Sequence, residues 1–136
     1  MNGTLIEVVA ALALAGCGGG DDAPKLPDGP PRETIEESVS LVVTQVSEAI
    51  LHGGEGDVAH IMLTAPGPTL DWNMHGHANG GTQVVTEAFK VETVDYVFAP
   101  SDLADWYVLL RNKGQTDITV ELKIDLYGEM TWSGWQ

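Results

Sequence analysis

The feature that most constrains the fold of this chain is a strict alternation of apolar and polar residues near its C-terminus. The apolar positions are Ile118, Val120, Leu122, Ile124 and Leu126, and Asp, Thr, Glu or Lys stands between each pair. A period of two places all five apolar side chains on one face of a β-strand. The pattern therefore predicts a strand with one buried face and one solvent-exposed face, as in an antiparallel sheet.

The same kind of pattern recurs upstream, in short segments that end at turn residues. Together with 117–128, the predicted strands are 58–66, 69–78, 82–87, 91–100 and 105–114. Pro66-Gly67-Pro68 and Asn79-Gly80-Gly81 mark turns, and no helical spacing lies between the segments. We predict an antiparallel β-sandwich of about six strands. Because 82–99 contains no Gly or Pro, the break between the third and fourth strands is placed near 88–90.

The segment before these strands has features of a helix. Thr34 and Glu37 fit a capping box, and Gly53-Gly54 offers a C-terminal stop. Apolar residues recur between them at three- and four-residue steps. The β-branched run 39–46 also alternates, which is typical of a strand. The prediction is one N-terminal α-helix in front of the sandwich.

Length and charge limit the class of protein. The chain has 136 residues, which is enough for one domain. It carries 20 acidic and 6 basic residues, for a formal net charge of -14. Such a charge repels nucleic-acid phosphates, so nucleic acid is excluded as a partner.

The N-terminus carries an apolar run, "LIEVVAALALAG", that ends at the single cysteine, Cys17. The run has the form of a signal-peptide core and is too short to span a bilayer. Leu14 to Cys17 resembles the bacterial lipobox. That resemblance implies a lipoprotein signal peptide at 1–16 and a diacylated Cys17 that anchors the chain to a membrane. It also implies a place in the bacterial cell envelope, facing the periplasm or on the cell surface.

The next segment, through residue 32, is rich in Gly, Pro and Asp and has too few apolar residues to fold. We interpret 17–32 as the lipidated cysteine with a flexible tether, and 33–136 as the folded domain. Within that domain, 94–124 resembles the GOLD (emp24-like) β-sandwich, a resemblance that implies a sandwich fold only. The matching positions are Phe98, Pro100, Trp106, Tyr107, Leu109 and Asn112. The strand Trp72 to His77 and the tail Trp132 to Trp135 also resemble uncharacterised bacterial lipoproteins.

Two histidines one residue apart, His75 and His77, suggest a metal site. On a strand they share one face with Asp71, whereas Trp72 and Met74 share the other. Neutral imidazoles in this arrangement are common ligands of copper and zinc. His60 on the preceding strand and Asp71 are the candidates that complete the set. The alternative is a polar sheet face whose histidines bind no metal.

The tail "TWSGWQ" places Trp132 and Trp135 beyond the last predicted strand. They either fold back as a lid on the core or form an exposed interaction surface.

No nucleophile elbow, phosphate-binding glycine loop or H-E-x-x-H motif is present in the sequence. We expect a membrane-tethered envelope lipoprotein with a non-catalytic binding domain. Its ligand is either a transition metal, copper or zinc, or an envelope protein partner. In the second case it is an interaction or structural module without metal.

Overall fold

The computed structural model describes residues 23–77 and 80–136, which form nine β-strands. The strands are β1 (Glu33–Leu41), β2 (Val46–Gly53), β3 (Val58–Thr64), β4 (Leu70–Gly76), β5 (Gln83–Val91), β6 (Thr93–Phe98), β7 (Ala104–Asn112), β8 (Ile118–Tyr127) and β9 (Thr131–Trp135). The six strands predicted from the sequence are confirmed as β3 to β8.

The strands form two antiparallel sheets. Sheet A has the order β1-β8-β3-β6, and sheet B has the order β5-β4-β7-β2-β9. Every connection passes from one sheet to the other except that between β4 and β5. The order of the first eight strands is that of a jelly roll, in which two Greek keys wrap around one core. The predicted sandwich is therefore confirmed, and β9 extends sheet B beyond the eight-stranded arrangement.

The core lies between the two sheets and follows the alternation read from the sequence. All five apolar positions of β8 are buried, and the opposite layer comes from Leu70, Trp72 and Met74 on β4 and from Trp106, Val108 and Leu110 on β7. The polar residues between them point outward, so each sheet has one solvent-exposed face.

The predicted N-terminal helix is wrong, because its residues form β1 and β2. The alternation decides the structure: β1 pairs with β8 along its whole length, and Ile35, Val39 and Leu41 pack on or within the core. Thr34 caps no helix, since its hydroxyl donates to Asp125 Oδ1 across the pair at 2.6 Å. The described residues contain no α-helix.

The break between β5 and β6 lies at Glu92, later than the sequence suggested. Lys90 has a positive φ of 54°, and the pairing of β4 with β5 shifts register twice. The Lys90 N–H donates to Asp71 Oδ1 at 2.8 Å, which supports the irregular backbone locally. The bulged strand thus continues through the point where a turn was expected.

Arg32, the last residue of the predicted tether, is bonded to the folded domain. Its backbone N–H donates to the Leu126 carbonyl at 2.8 Å, and its guanidinium donates to the carbonyls of Gly128 and Met130. Residues 23–30 are exposed and outside any strand. The predicted signal peptide and Cys17 lie outside the described residues. Among those described, none belongs to a helix long and apolar enough to cross a membrane.

Candidate functional site

Strand β4 carries His75 and lies second from the edge of sheet B, and His77 follows directly after its last residue. Its alternation buries Trp72 and Met74 in the core and turns Asn73 and His75 to the outer face. Gly76 ends the strand where the Trp106 ring packs against the backbone. A Cβ at this position would lie 2.8 Å from a ring carbon, so only glycine fits without displacement.

His75 is buried although it lies on the outer face of the sheet, with 4% of its surface exposed. Its ring stacks on Tyr107 with an interplanar angle of 11° and a centroid separation of 5.2 Å. Nδ1 lies 2.8 Å from Asn73 Oδ1, and Nε2 lies 3.4 Å from Glu48 Oε2. Neighbouring side chains therefore fix both ring nitrogens.

His77 lies beside this pair but is exposed. Its ring meets those of His75 and Tyr107 edge to face, at centroid separations of 5.0 and 4.9 Å. Nδ1 is 3.4 Å from the Thr82 hydroxyl. We refer to His75, His77, Tyr107 and Glu48 as the histidine cluster.

Burial lowers the pKa of His75 below its ordinary value, because desolvation penalises the charged ring. The Glu48 carboxylate opposes this shift, and the nearby His77 adds to it. Desolvation is the largest of the three effects. The lowered pKa favours the neutral form of the His75 ring.

Glu48 reaches the cluster from β2, across the intervening strand β7. Its Oε2 faces His75, whereas Oε1 accepts from the Gln136 side chain at 3.3 Å. The Gln136 backbone N–H also donates to the Glu48 carbonyl at 2.9 Å. The last residue of the chain therefore holds the carboxylate in its orientation toward His75.

The other two proposed ligands do not join the cluster. His60 lies on β3 in sheet A, where it faces away from the core and pairs with Asp95 Oδ1 at 2.7 Å. Since β3 and β4 belong to different sheets, the core separates His60 from His75. Asp71 shares the face of His75, but its Oδ1 accepts the Lys90 backbone N–H.

Sequence reasoning missed Glu48 and Tyr107 as neighbours of His75. Glu48 lies within the helix that the sequence predicts, and only the pairing of β2 and β4 with β7 aligns it with His75. The signal that could have found it is the alternation of Ile35, Val39 and Leu41 in β1, because a strand there, followed by the turn at 42–45, makes a second strand at β2 the expected continuation. Within 23–77 and 80–136, no group of three or more His, Cys, Asp or Glu side chains could hold a metal ion.

Trp132 and Trp135 pack against the core from β9, with their rings edge to face at a centroid separation of 5.8 Å. The Trp135 indole N–H donates to Glu37 Oε1 on β1 at 2.7 Å. Both side chains are half-buried. They lie across the side of the sandwich where the edges of the two sheets meet.

The exposed apolar surface is concentrated at the other edge of sheet B. Seven large apolar side chains are exposed in the described part of the chain, and Val84, Val85 and Phe89 on β5 are three of them. Phe89 is 64% exposed, and Val84 is the register partner of His75. We name these three residues the β5 patch; of the three, Val84 lies beside the histidine cluster.

Comparison with known proteins supports the fold alone. Neither a protein-family model nor a curated protein matches the sequence. The structure is similar to the Yersinia pseudotuberculosis-derived mitogen, with a TM-score of 0.59 and 9% identity over 78% of this chain and 95% of that one. It is also similar to Aeromonas hydrophila PliG, a periplasmic lysozyme inhibitor of g-type lysozyme. That match has a TM-score of 0.52 and 9% identity over 76% of this chain and 92% of that one.

Proposed function

We propose that this protein is a lipid-anchored, non-catalytic binding protein of the bacterial cell envelope, and that its ligand is another protein bound through the β5 patch. The observation that carries the proposal is the exposure of Val84, Val85 and Phe89 on one edge strand. Exposed apolar side chains on an edge strand are favourable contacts for a protein partner, since covering them removes apolar surface from water.

The shape of β5 favours docking by side chains over addition of a strand. Its pairing with β4 shifts register at two places, and Lys90 adopts a left-handed conformation. Such irregularities interrupt the row of free backbone groups that another strand would need. The backbone of β5 is therefore protected against pairing with a strand of a second copy of the chain. Its apolar side chains remain available to a partner protein whose surface is complementary in shape.

Charge indicates the chemistry of that partner. The full chain carries -14, so a second copy or an acidic protein would be repelled. A protein with an apolar pocket and a basic rim would complement both the β5 patch and the charge. One similar structure is described as a periplasmic inhibitor of a lysozyme, which agrees with a protein ligand in the envelope.

The anchor part of the proposal depends on Cys17 and the tether that follows it. A lipid on Cys17, followed by the tether predicted from the sequence, would hold the domain clear of the membrane surface, where an envelope protein could reach β5.

The binding proposal is tested by isolating this protein from solubilised cell envelopes and quantifying the proteins that co-purify with it. Wild type, Phe89→Ser and the control Leu103→Ser would be isolated in parallel and their co-isolated proteins compared by mass spectrometry. Leu103 is 73% exposed but lies outside the β5 patch. We expect one envelope protein to be depleted at least about tenfold by Phe89→Ser and unaffected by Leu103→Ser. Equal recovery with both variants would refute the assignment of β5.

A further inference from the structure

Strand β1 lies at an edge of sheet A and, in the described part of the chain, pairs with β8 alone. This pairing runs without a register shift through all nine residues of β1. The other edge strands are irregular or short: β5 has two register shifts, β9 has one and a left-handed Gly134, and β6 has six residues. Short or irregular edges resist the addition of another strand, and β1 has neither feature.

The protection of β1 consists of negative charge. Glu33, Glu36 and Glu37 lie along the strand. The β1 strand of a second copy would bring the same charges and be repelled, so charge opposes self-association through this edge. A strand with basic side chains would be attracted to the same carboxylates. The charge therefore selects which kind of strand can be added here.

We propose that the free edge of β1 binds an extended, basic segment of a partner protein as an added strand of sheet A. In this mode of recognition, backbone hydrogen bonds supply affinity and alternate side chains supply specificity. The Trp135–Glu37 bond places β1 beside β9, which is the opposite end of sheet B from β5. The site is therefore separate from the β5 patch and does not depend on the partner proposed there.

The outer face of β1 presents carboxylates at three successive levels of the sheet. The Thr34 hydroxyl donates to Asp125 Oδ1 at 2.6 Å, which holds that carboxylate against β1. The Ser38 hydroxyl holds Glu121 in the same way, also at 2.6 Å. Glu36 is exposed and lies between these two levels. Side chains on one face of an added strand recur about every 7 Å, so basic residues at alternate positions would each meet one carboxylate.

A depression beside β1 has room for long basic side chains. Its volume is about 500 Å³, and its lining includes Glu36, Glu37, Glu121 and the Met62 side chain. Methionine can contact the apolar stem of a Lys or Arg side chain while the carboxylates meet the charged end. Lys123 also lines the depression, but the three carboxylates outnumber it.

The inner side of the same edge is apolar. Ile35 and Val39 pack against the core, and the half-buried Trp135 ring lies beside them, bonded to Glu37. An added strand would turn its second set of alternate side chains toward this ring. Apolar residues fit that position, because they would cover the remaining exposed part of the indole. The segment that fits β1 therefore alternates basic and apolar residues.

Amide NMR of the full chain, titrated with the capped heptapeptide Lys-Val-Lys-Val-Lys-Val-Lys, tests the site. Cys17→Ser is present throughout to prevent disulfide-linked dimers. We expect saturable shifts at β1, β8 and the Trp135 indole, and slower hydrogen exchange at the β1 amides that face the free edge. The same peptide with N-methyl groups on its three central residues should bind at least about tenfold more weakly, because neither of its edges can donate there.

Two charge reversals separate the β1 edge from the overall charge of the protein. Glu36→Lys should weaken peptide binding at least about tenfold, whereas Glu87→Lys, the same change at an exposed position on β5, should leave it within about twofold. Because Glu36 is exposed, its replacement leaves the core intact.

Four results would each overturn the proposal: shifts centred on another strand, equal binding of the N-methylated peptide, equal effects of the two reversals, or no saturable binding at millimolar peptide. Shifts at β1 that grow with protein concentration in the absence of peptide would also overturn it, by identifying a second copy as the occupant. The β5 interface would stand in each case, because Phe89→Ser tests it separately.

Discussion

The indole N–H of Trp135 donates a 2.7 Å hydrogen bond to Glu37 Oε1, and this bond joins the edge strands of the two sheets. Trp135 lies on β9 of sheet B, and Glu37 lies on β1 of sheet A. The bond closes one side of the sandwich where no backbone pairing connects the sheets. The C-terminal strand therefore contributes to the closure of the core.

The first prediction concerns this closure. Trp135→Phe keeps an aromatic ring against the core but removes the donor, which should lower the free energy of unfolding by about 1 kcal/mol or more. Chemical denaturation measures the change. In a double-mutant cycle with Glu37→Ala, the two changes should be coupled, because each removes the same bond. Strictly additive effects would show that the bond does not stabilise the fold.

The second prediction concerns the core. Leu122 is buried on β8 at 2% exposure, so Leu122→Ala should lower the free energy of unfolding by about 2 to 5 kcal/mol. The adjacent residue, Lys123, points outward and provides a matched control. Lys123→Ala should change the free energy of unfolding by about 0.5 kcal/mol or less. Equal effects of the two substitutions would contradict the assignment of inner and outer faces.

These residues also show how far the sequence predicts the fold. Local alternation was sufficient for β3 to β8, because apolar residues at every second position can be buried on one side only as strands. It was insufficient for β1 and β2, where helical spacing and strand alternation coincide in the same residues. Only the pairing of Val39 with Val120 resolves that ambiguity, and such a long-range contact has no local signal.

For the candidate site too, the sequence predicts which residues are neighbours along one strand but not which residues approach from other strands. The side-by-side placement of His75 and His77 follows from the period of a strand. Glu48 comes from a strand two positions away in sheet B, so its approach to His75 depends on sheet order. His60 is close in sequence but lies in the other sheet, because the connection from β3 to β4 crosses the sandwich.

The third prediction concerns pH. Burial lowers the pKa of His75 in the folded state, so the unfolded chain binds the extra proton first as pH falls. The free energy of unfolding should therefore decrease as pH falls below about 6.5, the ordinary histidine value, toward the lower folded-state pKa. With a chelator present, wild type should lose more stability between about pH 7.5 and 5.5 than His75→Gln does. Parallel pH profiles of the two proteins would contradict the assigned direction.

The fourth prediction concerns the anchor. Cys17→Ser should move the protein from the membrane fraction to the soluble fraction and abolish incorporation of labelled fatty acid, because the serine cannot be acylated in the same way. Cell fractionation and metabolic labelling measure this directly. A wild-type protein that is unlabelled and equally soluble would disprove the lipoprotein assignment.

The most direct test of the central claim is site-specific photo-crosslinking in living cells, with the photoreactive residue at position 89 of the β5 patch or at position 119 on the outer face of sheet A. Thr119 is exposed on β8, in the opposite sheet, and serves as the matched control. The proposed function predicts one discrete cross-linked envelope protein from position 89 and none from position 119. No adduct from position 89, or the same adduct from both positions, would contradict a specific protein interface on β5.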